Sequence, residues 1–490
     1  MLRRSFLSLA TASATASALA AQTASQLGAS SATRGSGARR PPNIIWIMAD
    51  DMAWGDLGCY GQKVIQTPNI DRLAREGMRF TDAYAGCTVC APSRSVLLTG
   101  LHTGHTPVRS NPGGVFLLDS ETTIGEVLRP AGYATGCFGK WGLGDIGTEG
   151  VPWKQGFDEF FGYLHQAHAH YYYPPYLYDN DKQHHLPANL GQKLGTHAHD
   201  LIAERTLNFI RKNQSTPFFC YAAWTMPHWE PQAPDGAADP YRGKFNPEYE
   251  YTDNGGRLNP QKETYATYAG MVSRVDHGVG QILRLLEEMG IADNTIIFFT
   301  SDNGGHSRQA FDKQNRLNNY GPFRGNKTTM YEGGLRVPMV ARWPGHIPAG
   351  KVSSFAWMFQ DAMPTFAEIA GVSAPANIDG KSVLPTLTGR EQKPHEFLYW
   401  ENPPFNSARM EFRPGLPPQA LRMGEWKLVR PSLDAPLELF NLKNDPGEQT
   451  NLASREPAVL ARMEAILKTA RTEPRQQSQP PHRWFDKPWW

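Results

Sequence analysis

The sequence predicts an α/β sandwich, with a central sheet flanked by helices and a smaller α+β subdomain near the C-terminal end. Three continuous apolar runs, at 43–49, 217–224 and 295–300, are typical of strands buried on both faces. Amphipathic helices are predicted at 200–212 and 263–289. This alternation of buried strands and amphipathic helices is the pattern of an open α/β sheet.

The C-terminal part of the chain differs, because short segments separated by turns begin at about residue 385. Four of them predict a small antiparallel sheet: 396–400, 419–423, 426–430 and 437–441. An amphipathic helix is predicted at 456–471. We therefore expect a main domain over 43–384, a subdomain over 385–471, and a tail over 472–490 that is either docked or disordered.

The composition is that of a globular protein without an overall charge suited to nucleic acid. The 490 residues carry a formal net charge of +2, and 40% of them are hydrophobic. No apolar run is as long as the ~18 residues that a transmembrane helix needs. We therefore expect neither a nucleic-acid partner nor a membrane span.

The N-terminal residues have the features of a targeting segment. Arg3-Arg4 begins a twin-arginine pattern, and Ala18-Leu19-Ala20 resembles a cleavage site. We predict a signal peptide over 1–21, a flexible linker over 22–42, and export to the periplasm or the extracellular space. A chance basic start on a disordered tail is the alternative.

Polar side chains follow two of the buried strands at the point where each strand ends. Asp50 and Asp51 follow the first apolar run, and Asp302 and Asn303 follow the run at 295–300. Open α/β sheets bind ligands at the carboxyl ends of their strands, and hard divalent cations prefer oxygen ligands. These four residues therefore predict a cation site, although each dipeptide alone could be a helix cap or a turn.

Cys90 begins a predicted helix, because Pro92 suits a first helical turn. A helix N-terminus favours an anion and Arg94 adds a cation, so the pattern indicates an activated nucleophile that faces an anionic substrate. An ordinary buried cysteine and a redox pair with Cys87 are the alternatives. With only five cysteines in the chain, no disulfide framework is expected.

Further candidate residues lie at strand ends or in loops. Lys140 stands among glycines, where the backbone can approach a ligand closely. His228 follows the apolar run at 217–224, although a lone histidine is more often structural. A His/Tyr-rich stretch carries three more histidines and predicts a solvated loop, a buried aromatic cluster or a zinc site: His165, His168 and His170.

The string Cys90-x-Pro92-Ser93-Arg94, followed by Leu97-Leu98-Thr99-Gly100, resembles the signature of the type I sulfatases, within the alkaline phosphatase superfamily. Other blocks that resemble this family follow in order over roughly residues 43 to 450. The resemblance implies an alkaline-phosphatase-like fold with a mixed central sheet. It also implies that a maturation enzyme oxidises Cys90 to Cα-formylglycine, whose hydrated aldehyde is the nucleophile.

The resemblance also implies roles for individual residues. One Ca²⁺ would be held by Asp50, Asp51, Asp302, Asn303 and the formylglycine made from Cys90. Lys140 and Lys327 would bind the sulfate, with further positive charge from Arg94, and His228 would protonate the leaving oxygen. Glu332 and Arg336 would hold the Lys327 loop together.

The sequence departs from the family pattern at Gly142, where a histidine usually stands two places after the lysine. That histidine contacts the formylglycine and assists the release of sulfate, so its absence puts the second half of the mechanism in doubt. We favour His170 as the replacement, because Ala169-His170-x-Tyr172-Tyr173-Pro174 resembles sulfatases that also have glycine at this position.

Together these features predict a sulfuric ester hydrolase that acts on a sulfated carbohydrate or an aryl sulfate. A phosphomonoester or phosphonate monoester hydrolase of the same superfamily could use the same nucleophile. The alternative from another class is a catalytically silent protein that binds sulfated glycans.

Overall fold

Ten strands form one mixed sheet through the centre of the protein. The computed structural model describes residues 40–111, 115–251, 260–306, 316–406, 409 and 411–476. The strands are β1 (Asn43–Ala49), β2 (Met78–Phe80), β3 (Ala83–Tyr84), β4 (Ala134–Lys140), β5 (Glu159–Tyr163), β6 (Tyr176–Asp179), β7 (Lys182–His185), β8 (Phe218–Ala223), β9 (Thr295–Ser301), β10 (Met339–Arg342), β11 (Lys351–Ser353), β12 (Trp357–Met358), β13 (Leu398–Glu401), β14 (Phe405–Asn406), β15 (Glu411–Phe412), β16 (Gln419–Met423), β17 (Trp426–Arg430) and β18 (Glu438–Asn441). The helices are α1 (Pro68–Glu76), α2 (Cys90–Thr99), α3 (Ile124–Leu128), α4 (Ala198–Lys212), α5 (Thr264–Glu288), α6 (Glu332–Leu335), α7 (Ala362–Ala370), α8 (Leu384–Leu387) and α9 (Pro457–Thr469).

The order of the strands decides which residues meet at the edge of this sheet. That order is β11-β2-β10-β9-β1-β8-β4-β5-β6-β7. From β9 to β5, every neighbouring pair is parallel, whereas β10 and β6 pair antiparallel on either side. Because parallel neighbours end at the same edge, the residues that follow β9, β1, β8, β4 and β5 come together there.

The first strand shows why the sheet is buried on both faces. All of β1 is buried, and successive side chains point to opposite faces. Trp46 and Met48 pack in one apolar layer, which is shared with α2, α3 and α7. Ile45 and Ile47 pack in the other, which is shared with α1, α4 and α5. Among the described residues, no helix combines the length and the apolar character that crossing a bilayer requires.

A smaller antiparallel sheet lies near the C-terminal end, as the sequence predicted. Its strand order is β13-β16-β17-β18, and α9 packs on it. Met463 and Leu467 of α9 form a small apolar core with Leu421, Leu428 and Leu439 of the sheet. The α/β class and the late antiparallel sheet are therefore confirmed.

Several predicted elements have different bounds in the structure. The sequence predicts a single strand at about 79–84, whereas the structure has two short strands there, β2 and β3, separated by a bend. The sequence did not reveal β6 and β7, because β7 is largely exposed and polar and so carries no apolar run. The predicted signal peptide, most of the linker and the tail after residue 476 lie outside the described residues.

Candidate active site

The carboxyl ends of β1 and β9 bring together four oxygen-bearing side chains. The two strands pair in register along their full length, so Asp50 and Asp51 lie beside Asp302 and Asn303. The backbone N–H of Asp302 donates to the carbonyl of Ala49 (3.0 Å), and that of Asp51 donates to Oδ1 of Asp302 (3.2 Å). All four side chains are buried.

The hydrogen bonding of Asn303 indicates whether these side chains could bind a cation. Its Nδ2 donates to Oδ1 of Asp51 (2.7 Å), yet its buried Oδ1 has no hydrogen-bond partner among the described residues. Leaving such an oxygen unpaired costs about 1–3 kcal/mol, and a cation would satisfy it. Asp50, Asp51, Cys90 and His228 also offer ligand atoms that lie within 4.8 Å of one another. The donor set therefore fits a hard divalent cation.

Three cations balance the carboxylates, two of them buried and Lys327 partly buried. The pairs are Arg94 with Asp302 (2.8 Å), Lys140 with Asp50 (2.7 Å) and Lys327 with Asp51 (2.7 Å). Burial alone would raise the pKa of Asp50, but the permanent cations Lys140, Arg94 and Lys327 bring it well below its usual value. Arg94 also donates to the carbonyl of Lys140 (2.6 Å), so its guanidinium joins the end of β4 to the carboxylates.

Cys90 is the first residue of α2, and its thiol lies inside this network of charges. Sγ is 3.4 Å from Oδ1 of Asp50 and 3.5 Å from Nζ of Lys327. Burial, and then Asp302 and Asp50, raise the pKa of this thiol far above its usual value. The unmodified cysteine is therefore not the activated thiolate that the start of the helix alone suggested, because burial and the carboxylates outweigh the helix dipole.

The two cysteines of the Cys-x-x-Cys pattern have different surroundings. All five cysteines of the chain are free thiols. Sγ of Cys87 contacts the carbonyl of Glu401 on β13 (3.6 Å), whereas that of Cys90 contacts Asp50. The structure therefore gives no support to a redox pair.

His228 contacts a lysine and a carboxylate through the same ring nitrogen. Its Nε2 is 3.2 Å from Nζ of Lys327 and 3.5 Å from Oδ2 of Asp51. Burial and Lys327 lower the pKa of His228 well below its usual value, so the imidazole is neutral and the ammonium donates to it. The Lys327–His228 pair can therefore hold a proton beside the thiol of Cys90.

His170 lies against His228. The two rings are stacked with their centroids 4.3 Å apart and their planes at 29°. Burial, and then His228 and Lys140, lower the pKa of His170 well below its usual value. A neutral imidazole in this position can accept a proton.

The other two histidines of the stretch have local contacts. His168 packs against Tyr163 and Tyr176, with ring centroids 5.0 and 4.8 Å apart. Nδ1 of His165 accepts a hydrogen bond from the backbone N–H of Ala167 (3.0 Å). Within the described ranges, the possible metal-ligand groups do not combine these histidines with His170, so the zinc alternative has no support.

The loop over 324–336 presents Lys327 to the site. The backbone N–H of Lys327 donates to the carbonyl of Gly305 (2.9 Å), which follows the end of β9. Glu332 and Arg336 form a buried ion pair (2.6 Å) within this loop. The loop is thus tied both to the strand end and within itself.

Sequence reasoning missed a second group of side chains able to bind metal. Nδ1 of His105 lies 3.0 Å from both carboxylate oxygens of Asp379, and the rings of His102 and His105 are stacked. Nδ1 of His102 accepts a hydrogen bond from the N–H of Gly104, which leaves the ring proton on Nε2, where a metal would have to bind. The group is better explained as support for the loop after α2.

Gln166 was also missed, although its side chain lies against Gly142. A single glutamine inside a His/Tyr-rich loop has no pattern that would distinguish it from its neighbours.

Two family models match the chain. Residues 42–372 match the model described as Sulfatase, which is more than half of the chain. Residues 320–474 match the model described as N-sulphoglucosamine sulphohydrolase, C-terminal. The first match includes every candidate site residue.

Curated relatives and solved structures are similar over most of their length. N-acetylgalactosamine-6-sulfatase of Canis lupus familiaris is 33% identical over 469 residues, which is 85% of this chain and 83% of the relative. Arylsulfatase A of Homo sapiens is 32% identical over 88% of each chain. The structure of Ps i-CgsB in complex with k-i-k-neocarrahexaose has a TM-score of 0.74 at 31% identity, covering 90% of this chain and 94% of that one. Since signature, fold and extended similarity agree, the chain belongs to the sulfatase family and is a sulfuric ester hydrolase.

Proposed function

We propose that this sulfatase acts on a sulfated carbohydrate or an aryl sulfate, through a formylglycine made from Cys90 and with one bound Ca²⁺. The position of Cys90 carries the proposal, because its Sγ lies within 3.5 Å of both Asp50 and Lys327. A nucleophile at this place faces the cation ligands and a sulfate-binding lysine together. The oligosaccharide in the Ps i-CgsB complex supports a glycan as the substrate class.

Different side chains of the site would bind the cation, supply the nucleophile and bind the sulfate. Ca²⁺ would be held by Asp50, Asp51, Asp302 and Asn303, and when bound it neutralises sulfate charge and polarises the nucleophile. A formylglycine hydrate at position 90 supplies the attacking hydroxyl. Lys140 and Lys327 bind sulfate oxygens, while Arg94 holds Asp302 and Asp50 in place.

Lys327, His228 and His170, which lie beside the nucleophile, would transfer the protons. The protonated Lys327, 3.2 Å from Nε2 of His228, supplies the proton that His228 passes to the leaving oxygen. His170 is stacked on His228 beside the nucleophile, and this contact supports it as the base of the second stage, in place of the histidine that is absent at position 142.

The charges of the side chains alone do not separate a sulfate from a phosphate ester. Three cations are paired with three carboxylates, so the excess positive charge of the site would come from the proposed Ca²⁺. The family to which the chain belongs is that of the sulfatases, which favours the sulfate ester. Paired sulfate and phosphate esters of 4-nitrophenol separate the two hydrolases, and we expect faster turnover of the sulfate.

Mass spectrometry of the peptide that contains Cys90 tests the proposed nucleophile. After co-expression with a formylglycine-generating enzyme, we expect the mass of the aldehyde and turnover of 4-nitrophenyl sulfate. Cys90→Ser should lose both, whereas the matched variant Cys87→Ser should keep both. An unmodified thiol in active protein, or a fully active Cys90→Ser, would refute the mechanism. Modified protein without turnover would favour the silent binder.

The twin-arginine pattern supports export of the protein to the periplasm or the extracellular space. Replacing Arg3-Arg4 with two lysines should retain the protein in the cytoplasm, which fractionation of expressing cells measures. Equal export of both forms would contradict this route.

A further inference from the structure

The side chain of Gln166 occupies the space into which a side chain at position 142 would point. The backbone N–H of Gly142 donates to the carbonyl of Leu164 (3.0 Å), so the pairing of β4 with β5 continues past the strand ends. A Cβ added at Gly142, whose φ is +79°, would lie 2.1 Å from Nε2 of Gln166. Glycine at 142 therefore makes room for the amide of Gln166.

This amide is buried without a hydrogen-bond partner. Gln166 is 9% exposed, and neither its Nε2 nor its Oε1 has a partner among the described residues. Burying an amide in this way costs about 1–3 kcal/mol for each unpaired group. Buried polar groups are nearly always paired in folded proteins, and no described residue pairs with this amide, so water or a ligand is expected to do so.

Two chain segments meet at Gln166, its own and that of Gly142, and each also carries a residue of the active site. Gly142 stands two residues after Lys140, whose Nζ binds Asp50 at 2.7 Å. His170 stands four residues after Gln166 and is stacked on His228. The amide of Gln166 thus lies against the backbone that follows Lys140, on the segment that leads to His170.

We propose that Gln166 is a substrate-binding residue whose Nε2 donates a hydrogen bond to an oxygen of the sulfate group. This inference rests on the proposed function of the site. An amide N–H is a neutral donor, so it can orient the sulfate group. It does so without changing the net charge of the three cations and three carboxylates. The bound anion pairs with Nε2 and so removes the desolvation cost of the amide's donor, while Oε1 still needs a donor such as water.

Gln166→Leu tests the proposal, because it replaces the amide side chain with an apolar one of comparable volume and removes both polar atoms. We expect kcat/KM for 4-nitrophenyl sulfate to fall about 100-fold, which is typical for the loss of one donor to developing charge. Inorganic sulfate should raise the Tm of the wild type and raise that of the variant less. In the absence of sulfate, the Tm of the variant should equal or exceed that of the wild type, because an unpaired amide has been removed.

Gln155→Leu is the matched control. Gln155 is also a buried glutamine, but its Nε2 donates to the carbonyl of Glu149 (3.2 Å). This variant should lower the Tm and leave kcat/KM within about twofold, as expected for the loss of a structural hydrogen bond. A lower Tm for Gln166→Leu, with unchanged turnover in the folded protein, would make Gln166 a structural residue and overturn the proposal.

The outcomes separate this inference from the proposed function. If matured wild type neither turns over aryl sulfate nor is stabilised by sulfate, the proposed function fails and the inference fails with it. If the wild type does both and Gln166→Leu matches it in both, the inference alone is overturned.

Discussion

If Asn303 binds the proposed Ca²⁺, the ion should raise the thermal stability of the protein. Its buried Oδ1 has no partner within the described part of the chain, so a cation that satisfies it should stabilise the folded state. A ligand at 100 times its Kd adds about 2.7 kcal/mol. Saturating Ca²⁺ should therefore raise the Tm of the wild type relative to EDTA, and Asn303→Leu should lose most of that shift.

Asn189→Leu is the control for this measurement. Asn189 is equally buried, but its amide is hydrogen-bonded to the carbonyls of Pro174 (2.8 Å) and Thr196 (2.9 Å). The variant should be less stable and should keep the full Ca²⁺ shift. An equal shift in Asn303→Leu and the wild type would contradict the assignment of Asn303.

Asp56 should make the stability of the protein depend on pH. Its carboxylate is buried and accepts hydrogen bonds from the N–H of Ala53 (2.7 Å), the hydroxyl of Tyr268 (2.6 Å) and Nδ2 of Asn319 (2.8 Å). Burial outweighs these bonds and raises the pKa of Asp56 from 3.8 to about 7. The folded state therefore keeps a proton that the unfolded chain releases. The contribution of Asp56 to stability falls as pH rises from about 4 to about 7, by at most about 4 kcal/mol.

Asp56→Asn removes this titration. A flip of the Asn319 amide would let its unpaired Oδ1 accept from the new NH₂ group, so the variant should fold. Between pH 4 and pH 7, we expect the free energy of unfolding of the wild type to fall relative to that of the variant. Urea denaturation at each pH measures both values. A pH-independent difference would show that Asp56 does not titrate in this range.

At the scale of elements, one buried lysine ties the C-terminal sheet to the loop that carries Lys327. Lys427 on β17 is fully buried, with its Nζ 2.8 Å from Glu332 and 3.0 Å from Glu448. The backbone N–H of Glu332, the first residue of α6, also donates to Glu448 (2.7 Å). The position of the loop therefore depends on a charge supplied by another sheet.

Lys427→Met should leave two buried carboxylates without their shared cation. We expect a loss of about 3–5 kcal/mol in the free energy of unfolding, which is typical of a broken buried ion pair. The kcat for aryl sulfate should also fall in the protein that remains folded, because Lys327 is less well held. Calorimetry and activity per folded molecule measure the two effects.

Lys468→Met is the matched control on α9. Lys468 is 68% exposed and pairs with Glu464 one turn earlier (2.9 Å), so its loss should change stability by less than about 0.5 kcal/mol. If Lys427→Met behaved like this surface variant, the loop would not depend on the buried lysine.

At the scale of the whole molecule, the C-terminal sheet contacts the segments around α2 through buried polar groups. Nε1 of Trp400 donates to the carbonyl of Ala85 (2.9 Å), and the N–H of Glu401 donates to Oγ1 of Thr103 (2.7 Å). Glu401 also pairs with the buried Arg109 (3.0 Å). These contacts flank the helix that begins at Cys90.

A chain that ends at residue 384 should therefore not fold as an independent catalytic domain. It would leave Arg109 buried without its carboxylate and would expose the apolar surface that Trp400 covers. We expect insoluble protein or the loss of a cooperative thermal transition, measured by circular dichroism and size-exclusion chromatography. A soluble fragment that unfolds at the wild-type Tm would show that 43–384 is a self-sufficient domain.

Much of the fold could be predicted because its signals are local. The residues of β1, β8 and β9 form continuous apolar runs, since strands covered on both faces must be apolar throughout. Asp50, Asp302 and Cys90 could be selected for the same reason, because each directly follows a strand or begins a helix. Edge strands such as β7 have no such requirement and were not found.

What the sequence by itself determined, then, is the succession of strands and helices and the chemical identity of the side chains at their ends. Tertiary structure alone decided which of these ends meet, since the order β9-β1-β8-β4 joins residues that are far apart in the chain. It also decided the unpaired oxygen of Asn303, the raised pKa of Cys90 and the contact of Gln166 with Gly142. Burial, hydrogen bonding and charge interactions depend on distances in space, and a local pattern of residues does not contain those distances.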